Sequence, residues 1–355
     1  MEPRVLFRTH YQVDEPALME FLVKRCTSPI RSAYNESVAQ KLAEEVQHRG
    51  KKFNVAAGGY ALDLARGLSL VNEQNVWTDR GHLVNLHAET EDRNWDAELE
   101  LNSRERLLHF RLFLEGDGAA LLSIARYLLD HGKMPNSDGD WNQLAKMLFV
   151  EIYSEYHTMA GTTADRVALR REVDRIRSRG YEGKSGPHKM FVHLQTLHRL
   201  DLVDRVATST SRNYRLESDS GRRNLRSLVS EIPDLYALER AVQEHRLFEI
   251  AAKVFGIEHG PVAQDRSPEE LIQLVVPYYR QVVATGVSQC PLSTVIESVQ
   301  IGLLDEGREL IHYDAALDLI QKAQQKRVGE IRFHVDRRGT PAFLKLSDEL
   351  LASSS

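Results

Sequence analysis

A chain of 355 residues is long enough for two to three domains of roughly 100–200 residues each. Its 42% apolar and 27% charged side chains are ordinary globular composition, and no apolar run approaches the roughly 20 residues that cross a bilayer as a helix. The net charge of −5 argues against a polyanionic partner for the chain as a whole, but the charge is unevenly spread.

Residues 1–90 form the first expected module. "MEPRVLFRTHYQVDEP" carries acids and lacks an apolar h-region, so it does not resemble a secretory leader. "SVAQKLAEEVQ" and "NVAAGGYALDLARGL" have helical patterning, and "SLVNEQNVWTD" predicts two short strands about an Asn-containing turn. The helix "VAAGGYALDLARG" carries Asp63 and only Arg66 as a base, flanked by Lys51, Lys52 and Arg80. That balance suits a protein partner or a second copy of the chain better than nucleic acid, so residues 1–90 are expected to mediate such contacts.

Residues 91–163 are expected to be a helical connector and core. "SRERLLHFRLFL" has an apolar stripe through Leu107, Phe110 and Leu114. "GDGAALLSIARYLLDHG" predicts a separate helix stopped by Gly132 and Pro135, and "DWNQLAKMLFVEIYSEY" a third.

Residues 164–230 carry the charge asymmetry. Asp165 to Arg226 holds 15 Lys and Arg against 8 Asp and Glu, a net of +7, which leaves −12 for the rest of the chain. "DRVALRREVDRIRSRG" predicts an amphipathic helix bearing Arg166, Arg170, Arg171, Arg175, Arg177 and Arg179. Pro187 suits the first turn of the next helix. At 100° per residue, Met190, Phe191, Leu194 and Leu197 fall on one side of it. His188, Val192, Gln195, Thr196 and Arg199 fall on the other, with Lys189 beside them. Arg can bond guanine bidentately, Gln can bond adenine, and Val or Thr methyls can meet the thymine methyl. Two strands follow, bringing Arg205, Arg212 and Arg215 next to the helix.

Here the chain resembles the winged-helix superfamily. The carriers are "LQTLHRLDLV", as a recognition helix running into the first wing strand, and "RNYRLESDSGRR", as the second strand and the following helix. "LARGLSLV" with "VWTDRGHLV" repeats that shape in the first module. The resemblance implies a mainly α fold with short β-hairpin wings: two to three winged-helix-like modules joined by helical segments. It also implies double-stranded DNA as a partner, although such domains also serve as protein-interaction modules.

Residues 231–287 are expected to be helical, broken at "GIEHGPVAQDRSP". Residues 288–346 form a third expected winged-helix-like module. "PLSTVIESVQIGLL" and "YDAALDLIQKAQQKR" are its helices, and "EIRFHVDRRGTPAFLKL" its hairpin. Lys322, Lys326, Arg327, Arg337 and Arg338 are candidates for a second DNA contact, with a solvated structural hairpin as the alternative. Residues 347–355 read as a frayed tail.

"AAGGY" lacks the spacing of a dinucleotide fingerprint, and no phosphate-binding loop ending in Lys-Ser/Thr is present. His188, His193 and His198 recur every five residues and diverge around a helix, so no metal is expected. Cys26 and Cys290, alone and distant, make neither a disulfide framework nor a zinc site and suit a reducing, cytoplasmic location. The expectation is a non-enzymatic duplex-DNA-binding protein without cofactor or membrane partner. It would act as a transcriptional regulator or as the DNA-recognition subunit of a larger complex, such as one for defence or repair. A protein-interaction scaffold and an enzyme with an unrecognised site are the alternatives.

Overall fold

The computed structural model describes residues 47–48, 51–52, 65–74, 76–87, 103–135, 138–179, 186–207, 212–257, 267–284, 288–307, 310–337 and 339–353. Most are helical, with small antiparallel sheets between the helices. The expected helix "SVAQKLAEEVQ" and most of "NVAAGGYALDLARGL" lie outside these residues, as does Cys26. A two-residue pair, β1 (Gln47–His48) with β2 (Lys51–Lys52), was not anticipated.

From Ala65 onward the first module is built around a close approach. Val71 bridges Trp77, and the Asn72 side chain closes the turn by accepting from the backbone of Gln74 and Val76 at 2.9 and 3.0 Å. Helix α1 (Asp79–His87) then starts directly under this turn. A Cβ on Gly81 would lie 2.2 Å from the Leu70 carbonyl oxygen and 2.3 Å from the Trp77 ring, so only glycine fits.

Helix α2 (Ser103–His131) is the hub of the fold, in contact with most of the other described helices. The sequence predicts a break at "GDG", yet the helix runs through with a kink at Asp117 (φ −147°, ψ 27°). Leu107, Phe110, Phe113, Leu114, Leu121, Leu122, Ile124 and Leu128 are all buried, and they leave no solvent face through the middle of the helix. Such a helix must be surrounded, and α1, α3 (Asp138–Met159) and later helices surround it. Gly132, at φ +71°, ends it with a left-handed cap whose N–H reaches the Leu128 carbonyl at 2.8 Å, as the Gly–Pro punctuation predicts.

Helices α3 and α4 (Thr163–Arg179) form an antiparallel hairpin, and α3 also touches α5 (Gly186–Arg199). A tight turn with Asp201 at φ 56° leads from α5 into β3 (Asp204–Ala207), which pairs with β4 (Arg212–Arg215). Lys133 bridges Arg215, so the strand order is Lys133, β4, β3. The Asp204 carboxylate accepts from the backbone of Glu217 and Ser218, both at 2.8 Å, tying the start of β3 to helix α6 (Asp219–Glu231).

Helices α7 (Leu235–Gln243) and α8 (Leu247–Val254) cover α2. Helix α9 (Pro268–Val283) opens with a capping box between Ser267 and Glu270 and Pro268 in its first turn. After it come β5 (Cys290–Pro291), α10 (Leu292–Gly307), α11 (Tyr313–Lys326), β6 (Ile331–Val335) and β7 (Pro341–Leu346). The sheet order is β5–β7–β6, all antiparallel. The same order thus occurs twice: a short strand segment, then helices, then a hairpin whose second strand lies in the middle. Helix α12 (Asp348–Ser353) occupies most of the expected tail.

Polar groups tie these parts together inside the core. Arg111 on α2 donates to Glu297 on α10 from Nε at 3.1 Å and from the guanidinium end at 2.5 Å, and it also pairs with Glu115. Arg80 on α1 reaches the other Glu115 oxygen at 2.5 Å. Burial alone would lower the Arg111 pKa, but Glu297 and Glu115 together raise it, so the guanidinium stays charged. Asp79 accepts from the Thr294 hydroxyl at 3.0 Å, and its backbone carbonyl accepts from Tyr278 at 3.1 Å.

His87, also buried, sits 3.2 Å from the Ser298 hydroxyl. Burial first, and the positive charge of Arg104 second, push its pKa from 6.5 down to about 3. The fold therefore holds the neutral ring, whereas the unfolded chain protonates near the ordinary value. This contribution to stability is complete above pH 6.5 and is lost as pH falls from 6.5 toward 3, at up to about 1.4 kcal/mol per pH unit. His87→Gln keeps a polar partner for Ser298 without a titrating ring. Urea midpoints measured between neutral and mildly acidic pH are expected to fall less steeply in that variant than in the parent, and parallel curves would contradict the assignment.

Candidate nucleic-acid interface

The basic segment presents its charge from three elements. Leu169, Val173 and Ile176 form the buried stripe of α4, packed on α3. Spaced at three and four residues, they leave Arg170, Arg171 and Arg177 exposed. Arg205 is exposed on β3, and Arg223 and Arg226 are exposed on α6. None of these six has an ion-pair partner among the described residues. Arg166 and Arg175 are engaged locally, Arg166 with the Ala160 carbonyl at 3.0 Å and Arg175 with Glu172 at 2.5 Å. Arg215 lies 3.3 Å from Glu217.

Helix α5 differs in part from its sequence reading. Leu194 and Leu197 are fully buried, as the apolar stripe predicts, and so is Leu200 just after the helix, whereas the side chains of Met190 and Phe191 lie outside the described ones. Gln195 and Arg199 are half-buried and on the outer side. Thr196, expected to face outward and contact a base, is 0% exposed and so is unable to do so. The buried stripe of α5 is wider than its apolar residues alone indicate, because His193 and Thr196 extend it. His193 is buried as well, paired with Asp117 at the kink of α2 and stacked on Phe113 with ring centroids 5.7 Å apart. His198 points elsewhere, with Nδ1 2.9 Å from the Val203 carbonyl. The backbones of His188, Lys189, Val192 and Arg212 are placed in α5 and β4, but their side chains lie outside the described ones.

Helix α4 packs chiefly along α3, which also touches α5. Arg223 and Arg226 were missed as candidates. Their signal is the amphipathic spacing of α6, where Leu225 and Leu228 turn inward and leave both arginines outside. Between the end of α5 and the start of α6 lies a half-open pocket of about 500 Å³. Arg106, His198, Asp201, Asp204 and Asn224 are among its lining residues, and Arg106 pairs with Asp201 at 2.5 Å.

The second candidate surface is more neutralised. Lys322 pairs with Asp318 at 2.6 Å, Arg327 with Glu330 at 3.2 Å, and Lys326 lies 3.8 Å from Glu269. Arg337 is exposed at the β6–β7 turn, whereas Arg338 lies outside the described residues. Cys290 at the head of β5 is fully buried, and burial, with Asp79 second, pushes its thiol up to about 12. It stays protonated and unreactive at neutral pH. Among the described residues no helix is long and apolar enough to cross a membrane, and no group of three or more His, Cys, Asp or Glu is placed to hold a metal ion.

The chain matches no protein-family model, no curated protein sequence and no solved structure.

Proposed function

We propose that the chain binds duplex DNA through residues 164–230, folded as a winged helix with α5 as the recognition helix and β3–β4 as the wing. The observation that carries this reading is the set of exposed arginines without an ion-pair partner among the described residues, Arg170, Arg171, Arg177, Arg205, Arg223 and Arg226. Exposed cations left unneutralised within a segment of net +7 suit a phosphate backbone. The order of helix, hairpin and central second strand supports the winged-helix reading, and its recurrence between α9 and β7 supports a second module of the same kind. Gln195 and Arg199, on the outer side of α5, are the base-reading candidates, and Thr196 is no longer one. Such a protein would serve as a regulator or as the recognition subunit of a larger complex.

A salt titration of duplex binding tests the reading. If Arg170, Arg171 and Arg205 each touch a phosphate, replacing all three with alanine flattens the slope of log K against log salt by about 0.9 per contact, roughly 2.7 in all. Gln195→Ala is expected to cost about 1–3 kcal/mol on a preferred sequence only. Unchanged affinity and slope in the triple variant would overturn the proposal. A second reading, a scaffold for partner proteins, is favoured by Tyr236 and Met147, large apolar side chains that are 67% and 52% exposed. It predicts that Tyr236→Ser disrupts a partner complex while the arginine variants leave it intact.

A further inference from the structure

The hairpin of β6 and β7 has an open face that the basic segment does not use. Its register sets Arg332 directly opposite Lys345 and His334 directly opposite Phe343. Alternation along the strands puts these four on one side, while Ile331, Leu344 and Leu346 go into the core on the other. Arg332, His334 and Lys345 are exposed and Phe343 is half-buried. Pro291 of β5 lies opposite Phe343 and continues the same face.

The charge on this face is uncompensated. Arg332 and Lys345 have no ion-pair partner among the described residues. The two acids that flank β6 are engaged elsewhere: Glu330 holds Arg327, and Asp336 accepts from the Thr340 backbone N–H at 2.9 Å within the turn. The other hairpin is built in the opposite sense, with Asp204 facing Arg215 across its strands. Like charges set directly across a strand pair cost stability unless a counter-charge arrives. Two cations adjoining two aromatic rings on one sheet face form the pattern that tracks a phosphodiester backbone while stacking unpaired bases. Bases in a duplex are already stacked on one another and leave rings on such a face without a partner.

We propose that this face binds single-stranded nucleic acid, with Arg332 and Lys345 on phosphates and Phe343 and His334 as the base-stacking surface. The inference goes beyond the duplex reading and rests on different residues. It is tested on the full chain by fluorescence anisotropy, using a labelled oligo-thymidine of about 15 nucleotides, a duplex of the same length, and an abasic strand. The double variant Arg332→Ala/Lys345→Ala is expected to weaken oligo-thymidine binding at least about tenfold and to flatten its salt slope by about 1.4. Duplex affinity is expected to stay within about twofold in that variant, and the abasic strand to bind the parent more weakly than oligo-thymidine. His334→Ala, at an exposed position that leaves the fold intact, reports on stacking separately by weakening oligo-thymidine and not the abasic strand. Absence of oligo-thymidine binding by the parent overturns the proposal, as does equal loss on single and double strands. Failure of the duplex reading shows instead in the Arg170, Arg171 and Arg205 variant, so the two outcomes are distinguishable.

Discussion

Arg111→Met is expected to lower the stability of the whole chain by about 3–5 kcal/mol, because it strands a buried carboxylate. Glu297 has 2% of its side chain exposed, and its Oε2 already lacks a hydrogen-bond partner among the described residues. Without the guanidinium, neither Glu297 oxygen retains one, while Glu115 keeps Arg80. The companion variant Arg111→Met/Glu297→Leu removes both charges and is expected to regain most of the loss, since a buried ion pair replaced by apolar residues of similar volume is often neutral or stabilising. Urea denaturation of the parent and both variants measures this. A single variant as stable as the parent, or a double variant worse than the single, would show that the pair is not the desolvated link described above.

The second large effect is expected at α5. His193→Leu leaves the Asp117 carboxylate, 0% exposed, without its ring partner, at a cost of about 3 kcal/mol. Asp117→Asn keeps an acceptor for the ring and is expected to cost less. The readout that separates this contact from general core damage is hydrogen exchange. Amides from Leu194 to Leu200 are expected to lose protection first in His193→Leu, because the contact joins α5 to the α2 kink. Uniform loss over all helices, or unchanged exchange in α5, would refute the local role. Where α5 also reads DNA, duplex affinity is expected to fall with that protection.

Much of the helical pattern was legible in the sequence. "DWNQLAKMLFVEIYSEY" shows helical periodicity because α3 has one buried stripe, and the β6–β7 hairpin is marked by alternation around an Arg-Gly turn. The continuity of α2 was not legible. Gly116, Asp117 and Gly118 read locally as a break, and the partner that occupies the kink, His193, stands 76 residues away. The inward turn of Thr196 was hidden for a related reason. A helical wheel gives angles but not the width of the surface facing it, and a small hydroxyl residue is consistent with either side. Arg111 sits in a run that reads as an apolar stripe, and its acidic partner lies 186 residues downstream, beyond any local pattern. The base-reading and phosphate-binding candidates were found unevenly: charge density marked α4, whereas the arginines of α6 needed the inward turn of Leu225 and Leu228 to be seen as surface.

The contacts of Asp79 have a consequence for biosynthesis. Its side chain is bound by Thr294 and its carbonyl by Tyr278, 215 and 199 residues later in the chain. A ribosome adding about 5–20 residues per second delivers those partners about 10–40 s after Asp79 itself. For that interval α1 has emerged but lacks the helices that cover it, α9 and α10, and its apolar residues Leu83 and Val84 are without their final neighbours. Slowing translation between α1 and α9 lengthens this exposed period, so synonymous codon changes in that stretch are expected to alter yield and chaperone dependence without altering the finished molecule.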